Sequence, residues 1–341
     1  MDSLSKQTRV LFVKNVLKAI RADSVESLRT CLQSTSVNVS NAILDANSNT
    51  AIHCCARFTA LECLRYLIHR EKSDINVDAV NKEGKTALHE AAIIGNADIV
   101  KLLLSNGWNV DAIKRGDWTP LMLAVASSHF EVVKILIEIG RANTRLVNKD
   151  GWNCFHLAAR SGNLSIVRFL LHFDNDLCKN KSYNNRTPLH SCALQGHYSV
   201  AQHLITNECV ENVDEIDVCG NTPFIEAIIS SCTNICRLLI AHNCDPLITD
   251  SLQRNALHIA AECNAVESVV YLITELHFTV DKQCPRNGFT ALHYAAKEGH
   301  ENVIRVLKQF HCDLSIRDNK QRLPSDIAIT FKHNHCVHLL N

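Results

Sequence analysis

The chain has 341 residues, 46% hydrophobic and 21% charged, so there is ample apolar surface to bury and intrinsic disorder is excluded. Its 35 basic and 35 acidic side chains cancel, and bulk charge gives no argument for nucleic-acid or membrane binding. The sixteen cysteines are scattered. MDSLSKQTRVLFVKNVLKAI has no secretory apolar core, and no run approaches the roughly 18 apolar residues of a membrane span. Reduced thiols in an intracellular chain are therefore expected, in the cytoplasm with the nucleus as a second compartment.

In chain order, residues 1–49 contain two amphipathic stretches, RVLFVKNVLKAI and SVESLRTCL, expected to form N-terminal capping helices. A seven-residue motif then recurs nine times at spacings of 33 to 36 residues. It begins at Thr50 (TAIHCCA), Thr86 (TALHEAA), Thr119 (TPLMLAV), Asn153 (NCFHLAA) and Thr187 (TPLHSCA). It continues at Thr222 (TPFIEAI), Asn255 (NALHIAA), Thr290 (TALHYAA) and Leu323 (LPSDIAI). Residues 50–322 read as repeats 1–8 and residues 323–341 as a C-terminal capping repeat.

Each unit explains itself chemically. Thr or Asn starts a helix by accepting from first-turn amides, and Pro120, Pro188 and Pro223 follow where no N–H is missed. Leu and Ala bury one helix face. A Gly turn leads to a second apolar-periodic helix such as DIVKLLL or SIVRFLL, and a polar Gly/Asn/Asp finger such as NKDGW closes the unit. The period and motif are those of ankyrin repeats. The fold class expected is all-α: an ankyrin-repeat solenoid of about nine units plus an N-terminal helical cap. Repeat 6, with Ile225 where other units carry His, is expected to stack more weakly.

Six units place His at the fourth motif position: His53, His89, His156, His190, His258 and His293. One histidine per repeat cannot converge on a metal, so a structural role tying adjacent turns together is expected. Cys232 and Cys236 share a helix face, and His333, His335, Cys336 and His338 cluster on the last helix. A solvated helix outweighs a metal site there, and no metal or cofactor is expected. No P-loop, GxGxxG, GxSxG or HExxH sequence occurs, so the chain reads as non-catalytic.

Recognition falls to the fingers. Trp118, Trp152 and Phe289 each precede the helix-starting residue, at the expected exposed side of the finger, where large aromatics act as interface anchors. Lys82, Lys85, Lys114, Arg115, Arg145, Lys149, Lys179, Lys181 and Arg186 make the first fingers basic, and Glu211, Asp214, Glu215 and Asp217 make the next one acidic. The basic run fits either the solubility of wet loop tips or a partner offering an acidic patch, phosphate or tRNA.

Three stretches go beyond the general repeat: IKRGDWTPLMLA (113–124), NKDGWNCFHLAARSG (148–162) and FTALHYAAKEGH (289–300). With the number and order of units, they resemble the ankyrin repeat domain-containing protein 16 family over residues 50–320. The resemblance implies a partner, alanyl-tRNA synthetase, bound at its catalytic part. It also implies lysines that take up misactivated serine before it reaches tRNA. Carried over by motif, the acceptors fall on Lys149 and Lys179. The third falls on Arg115, a departure for which neighbouring Lys114 is the substitute, because guanidinium is not a practical nucleophile. Residues alone leave a general interaction scaffold with an unrelated partner equally open, with both lysines merely solubilising. A monomer without direct nucleic-acid contact is expected in either case.

Overall fold

The computed structural model describes residues 6–33, 39–71, 74–207 and 209–340. Residues 1–5 and 34–38 of the expected N-terminal segment lie outside these. The described residues hold twenty α-helices and no strand, so the all-α repeat architecture is the one observed. No helix among them is long and apolar enough to cross a membrane. The chain divides into two compact units, residues 1–170 and 171–341.

The first unit begins with α1 (Lys6–Arg21) and α2 (Val25–Gln33). Helix pairs follow: α3 (Ala51–Phe58) with α4 (Leu61–Glu71), α5 (Ala87–Ile94) with α6 (Ala97–Ser105), and α7 (Pro120–Ala126) with α8 (Phe130–Lys134). Helix α8 runs on through a π turn, Ile135–Ile139. The last pair is α9 (Cys154–Ser161) with α10 (Leu164–Phe173). First helices stack in one row, α3 on α5 on α7 on α9, and second helices in another, α4 on α6 on α8.

The second unit repeats the scheme with α11 (Pro188–Gln195), α12 (Tyr198–Thr206), α13 (Pro223–Ile229), α14 (Thr233–Ala241) and α15 (Ala256–Glu262). It ends with α16 (Val266–Thr274), α17 (Ala291–Glu298), α18 (Glu301–Gln309), α19 (Pro324–Thr330) and α20 (Asn334–Leu340).

The core lies between the two rows of each unit. Second helices bury a short stripe spaced i, i+1, i+4: Ile99, Val100 and Leu103 in α6, and Val303, Ile304 and Leu307 in α18. Each such side chain contributes about 1.5–3 kcal/mol on burial. First helices bury small residues such as Ala91 and Ala92, which let neighbouring helices approach closely.

The expected helix starts are seen atom by atom. Thr119 Oγ1 accepts from the Met122 amide at 3.3 Å, and Thr222 Oγ1 from Ile225 at 3.3 Å. At five of the six motif histidines the ring closes the cap and then reaches the next repeat, and His156 Nδ1 meets the capping Asn153 Oδ1 at 2.7 Å. His89 Nδ1 accepts from the Thr86 amide at 3.1 Å, so its proton sits on Nε2, which donates to the Trp118 carbonyl at 3.1 Å. His53 reaches Lys85 at 2.9 Å, His190 reaches Asn221 at 3.0 Å, His258 reaches Lys282 at 2.8 Å and His293 reaches Arg322 at 3.3 Å. The structural role expected of these histidines is the observed one. Ile225 is buried and keeps its cap, but it has no ring to make this bridge. On the last helices, His335 turns to the Gly299 carbonyl at 3.2 Å and Cys336 is buried.

Candidate protein-docking site

Fingers are fixed by a rule visible in their backbone. The residue five positions before the helix start folds its side-chain oxygen over the loop. Asn81 Oδ1 accepts from Glu83 and Lys85 amides at 2.9 and 3.0 Å. Asn148 accepts from Asp150 and Trp152, both at 2.9 Å. Asp217, Asp250 and Asp318 do the same in the second unit. Fingers are also laced to their neighbours within each unit. In the first, the amides of Lys82, Arg115 and Lys149 donate to the carbonyls of Asn47, Glu83 and Gly116 at 2.9, 3.3 and 3.1 Å.

Two fingers break the rule: the one before Thr290, with Pro285 at the position, and the one before Thr119. At the pinning position of the latter stands Lys114, which has no acceptor to offer. The loop keeps only the backbone closure that the other fingers share, Lys114 N–H donating to Trp118 O at 3.0 Å as Asn81 does to Lys85 O and Asn148 to Trp152 O, both at 3.0 Å. Asp117 N–H closes the turn on Lys114 O at 3.0 Å, and Gly116 and Asp117 both adopt left-handed conformations (φ 80° and 62°). Freed from pinning, the Lys114 ammonium lies 5.5 Å from the Trp118 ring centre and donates to Arg115 O at 3.3 Å. Burial lowers the Lys114 pKa from its ordinary value and the nearby Lys85 charge lowers it further, while Glu83 opposes them.

Trp118 is half-buried with its carbonyl held twice, by the Lys114 amide and His89 Nε2. On the next finger Trp152 is equally half-buried. It lies against His156 at a ring separation of 6.0 Å and carries the Arg160 guanidinium at 5.4 Å. Gly116 leaves a notch between the fingers. A Cβ built there would meet Trp118 Cδ1 at 3.5 Å and Lys149 Cδ at 3.8 Å, which places the Lys149 stem beside the Trp118 edge. Arg115 and Lys149 are exposed, and among the described residues no carboxylate pairs with either. The structure therefore joins Lys114, Arg115, Trp118, Lys149 and Trp152 into one amphipathic surface of the first unit, with aromatic faces set among cations. Arg145 is exposed in the turn below, its amide held by Asn143 Oδ1 at 3.0 Å.

Three expectations need correction. Phe289 is no exposed anchor. It is 7% exposed, stacked on His293 at 5.2 Å and edge-on to Tyr294 at 5.2 Å, because two aromatic neighbours close over it. The basic run is also much smaller than its sequence suggests. Lys85 pairs with Glu83 at 2.9 Å and Glu90 at 3.7 Å, Lys181 with Glu215 at 2.6 Å, and Arg186 with Glu226 at 2.6 Å and Asp217 at 3.2 Å. Finally, Lys179 is not a finger tip. It ends a 3₁₀ turn (Asn175–Lys179), and its ammonium is 3.8 Å from Glu211.

Sequence reasoning missed the pinning rule, and with it the special status of Lys114. The signal was present: read five residues before each helix start, Lys114 stands where most other units have Asn81, Asn148, Ser182, Asp217, Asp250 and Asp318, the unit starting at Thr290 having Pro285.

Helix pairs joined by fingers at this period define a repeat protein of the kind that binds through laterally presented loops. The whole-chain comparison specifies it: models of ankyrin repeats match residues 16–68, 71–145, 139–214, 200–284 and 274–341, and the chain belongs to the ankyrin-repeat family. It is similar to the transient receptor potential cation channel subfamily A member 1 of Homo sapiens, at 24% identity over 94% of this chain and 29% of the relative. It is similar to the ankyrin repeat and KH domain-containing protein mask-1 of Caenorhabditis elegans, at 30% identity over 70% of this chain and 9% of the relative. The B-cell lymphoma 3 protein homolog of Mus musculus is 33% identical over 43% of this chain and 33% of its own length. The chain thus spans a third or less of each of these relatives, and what they share with it is the repeat array.

Proposed function

We propose that the chain is a non-catalytic protein-binding module whose recognising surface is the edge formed by Trp118, Trp152, Lys114, Arg115 and Lys149. The observation that carries this reading is the replacement of a loop-pinning Asn/Asp by Lys114. It gives up a structural hydrogen-bond acceptor and leaves a cation beside a half-exposed tryptophan. Repeat proteins depart from their own rule where another demand overrides it. Two half-buried tryptophans set beside the exposed cations Arg115 and Lys149 suit a partner with apolar pockets rimmed by acidic groups.

The more particular reading is an accessory factor of alanyl-tRNA synthetase that limits serine mischarging. An aminoacyl adenylate reacts with a neutral amine: the nitrogen attacks the carbonyl carbon, adenylate leaves, and a proton is lost to solvent as the amide forms. Lys114 is the best-placed amine, since burial and Lys85 favour its neutral form. Lys149 stands beside the same tryptophan, whereas Lys179 is engaged by Glu211. The variety of the relatives favours the broader alternative, a scaffold with a different partner.

Co-purification from lysate with the intact chain and with the Trp118→Ala/Trp152→Ala double variant tests the surface. Recovery of the synthetase with the intact chain alone supports the particular reading, and a different Trp-dependent partner supports the scaffold. Partners retained by both proteins would sink the proposed surface. Mass spectrometry after incubation with synthetase, serine and ATP tests the acceptors separately, a seryl amide on Lys114 or Lys149 being the expected product.

A further inference from the structure

A cleft of about 260 Å³ lies in the first unit between α3 and α5 and the fingers that precede them. None of the residues of the proposed docking edge lines it. Its buried lining is polar, with Asn49 1%, Asn81 6% and Glu90 6% exposed. The two amides are fully engaged. Asn81 Nδ2 donates to Asn49 Oδ1 at 2.9 Å and to Glu90 Oε1 at 3.2 Å, and Asn49 Nδ2 donates to Asp45 Oδ2 at 2.8 Å.

The charges are matched less completely. Lys85 lies 3.7 Å from Glu90 Oε1 but 2.9 Å from Glu83, so its ammonium is held mainly by the outer carboxylate. Glu90 Oε2 takes no hydrogen bond among the described residues and opens to the cleft. The equivalent carboxylate of repeat 6, Glu226, is instead closed by Arg186 at 2.6 Å. On the α3 side Arg57 is exposed, and no carboxylate among the described residues lies within ion-pair distance of it. At the same helix position in the second unit, Glu262 and Lys297 of successive repeats pair at 3.5 Å. Beside Arg57 the next repeat offers only Ile93, followed by Ile94, which is 41% exposed.

We propose that this cleft binds a free α-amino acid with an aliphatic side chain. Arg57 takes the carboxylate through its forked donors, Glu90 Oε2 accepts from the ammonium, and the side chain covers Ile93 and Ile94. The lining disfavours simpler ligands. A cation alone would face Lys85 and Arg57, and an anion alone would face Glu83 and Glu90, so a ligand carrying both signs is the matched one. A residue inside a peptide has neither terminal charge. The volume also falls below the roughly 300–1,000 Å³ of sites for drug-sized ligands, which suits a single amino acid.

The test is calorimetric titration of the full-length chain with L-leucine, leucinamide (no carboxylate) and 4-methylpentanoate (no ammonium). Leucine is expected to bind at millimolar concentration or tighter. Each analogue should bind about tenfold to a hundredfold more weakly, the effect of losing one charge-assisted hydrogen bond. Arg57→Ala, at an exposed position that leaves the fold intact, should weaken leucine to the level of leucinamide. Glu90→Gln should weaken leucine by a similar factor; if burial makes that variant unfold, Arg57→Ala decides alone. No binding of leucine, either analogue binding as tightly as leucine, or an unchanged affinity in Arg57→Ala overturns the proposal.

Discussion

The Nε2 of His89 donates to the backbone carbonyl of Trp118, one repeat further along the chain, at 3.1 Å. This bond joins the part of the repeat that makes the fold to the part that does the recognising. The His89 ring is fully buried, and the tryptophan it anchors is half-exposed on the proposed docking edge. His89→Ala would leave the Trp118 carbonyl and the Thr86 amide short of a partner. An expected loss of about 2–4 kcal/mol in unfolding free energy follows, measured by urea denaturation. A change below about 0.5 kcal/mol would show that the bridge is dispensable.

The same histidines make stability depend on pH. Burial lowers His89, His190 and His258 to about 4 and lowers His53 and His293 too, against the raising effect of the carbonyls they bond. An unfolded chain protonates these rings near the ordinary 6.5, so between 6.5 and 4 it binds more protons than the folded chain. The contribution is fully present above 6.5 and is lost as pH falls toward 4. The urea midpoint should therefore drop steadily across that window, and His89→Gln should flatten the drop. A midpoint constant from pH 7 to 4.5 would contradict the assignment.

At the docking edge, binding and stability should separate. Trp118→Ala and Trp152→Ala are expected to weaken partner binding by about 2 kcal/mol or more each, the scale of interface anchors, read by calorimetry on the co-purified partner. Phe289→Ala should do the reverse. Removing that enclosed ring costs about 3–4 kcal/mol of stability and leaves binding unchanged, since it is stacked inside the second unit.

Lys114→Asn restores the loop-pinning acceptor of the other fingers. The variant is expected to be more stable than the native chain by about 0.5–1 kcal/mol, the value of one added hydrogen bond, and to bind its partner less tightly. A variant that is less stable and binds as before would show that Lys114 is a structural residue.

Much of this protein was legible from its residues because the interactions involved are local. A Thr hydroxyl capping amides three residues on, a Pro at the first helical turn and an i, i+1, i+4 stripe all act within one helix, so the nine motifs predicted the helix pairs directly. The histidine bridges followed from the repeat itself, since one side chain per unit at constant spacing has its counterpart one unit along.

What the tertiary structure alone decided depends on which groups meet from about thirty residues away. Phe289, Trp118 and Trp152 occupy the same position in their repeats, yet Phe289 is buried with Arg322 of the next repeat 5.9 Å from its ring centre, while the other two stay half-exposed. Arg186 and Lys149 look alike as finger cations, but only Arg186 meets buried carboxylates, Asp217 and Glu226, in the following unit. Capping and periodicity act within a few residues of chain and can be read along it, whereas exposure, pairing and acidity are set by neighbours that only packing brings together.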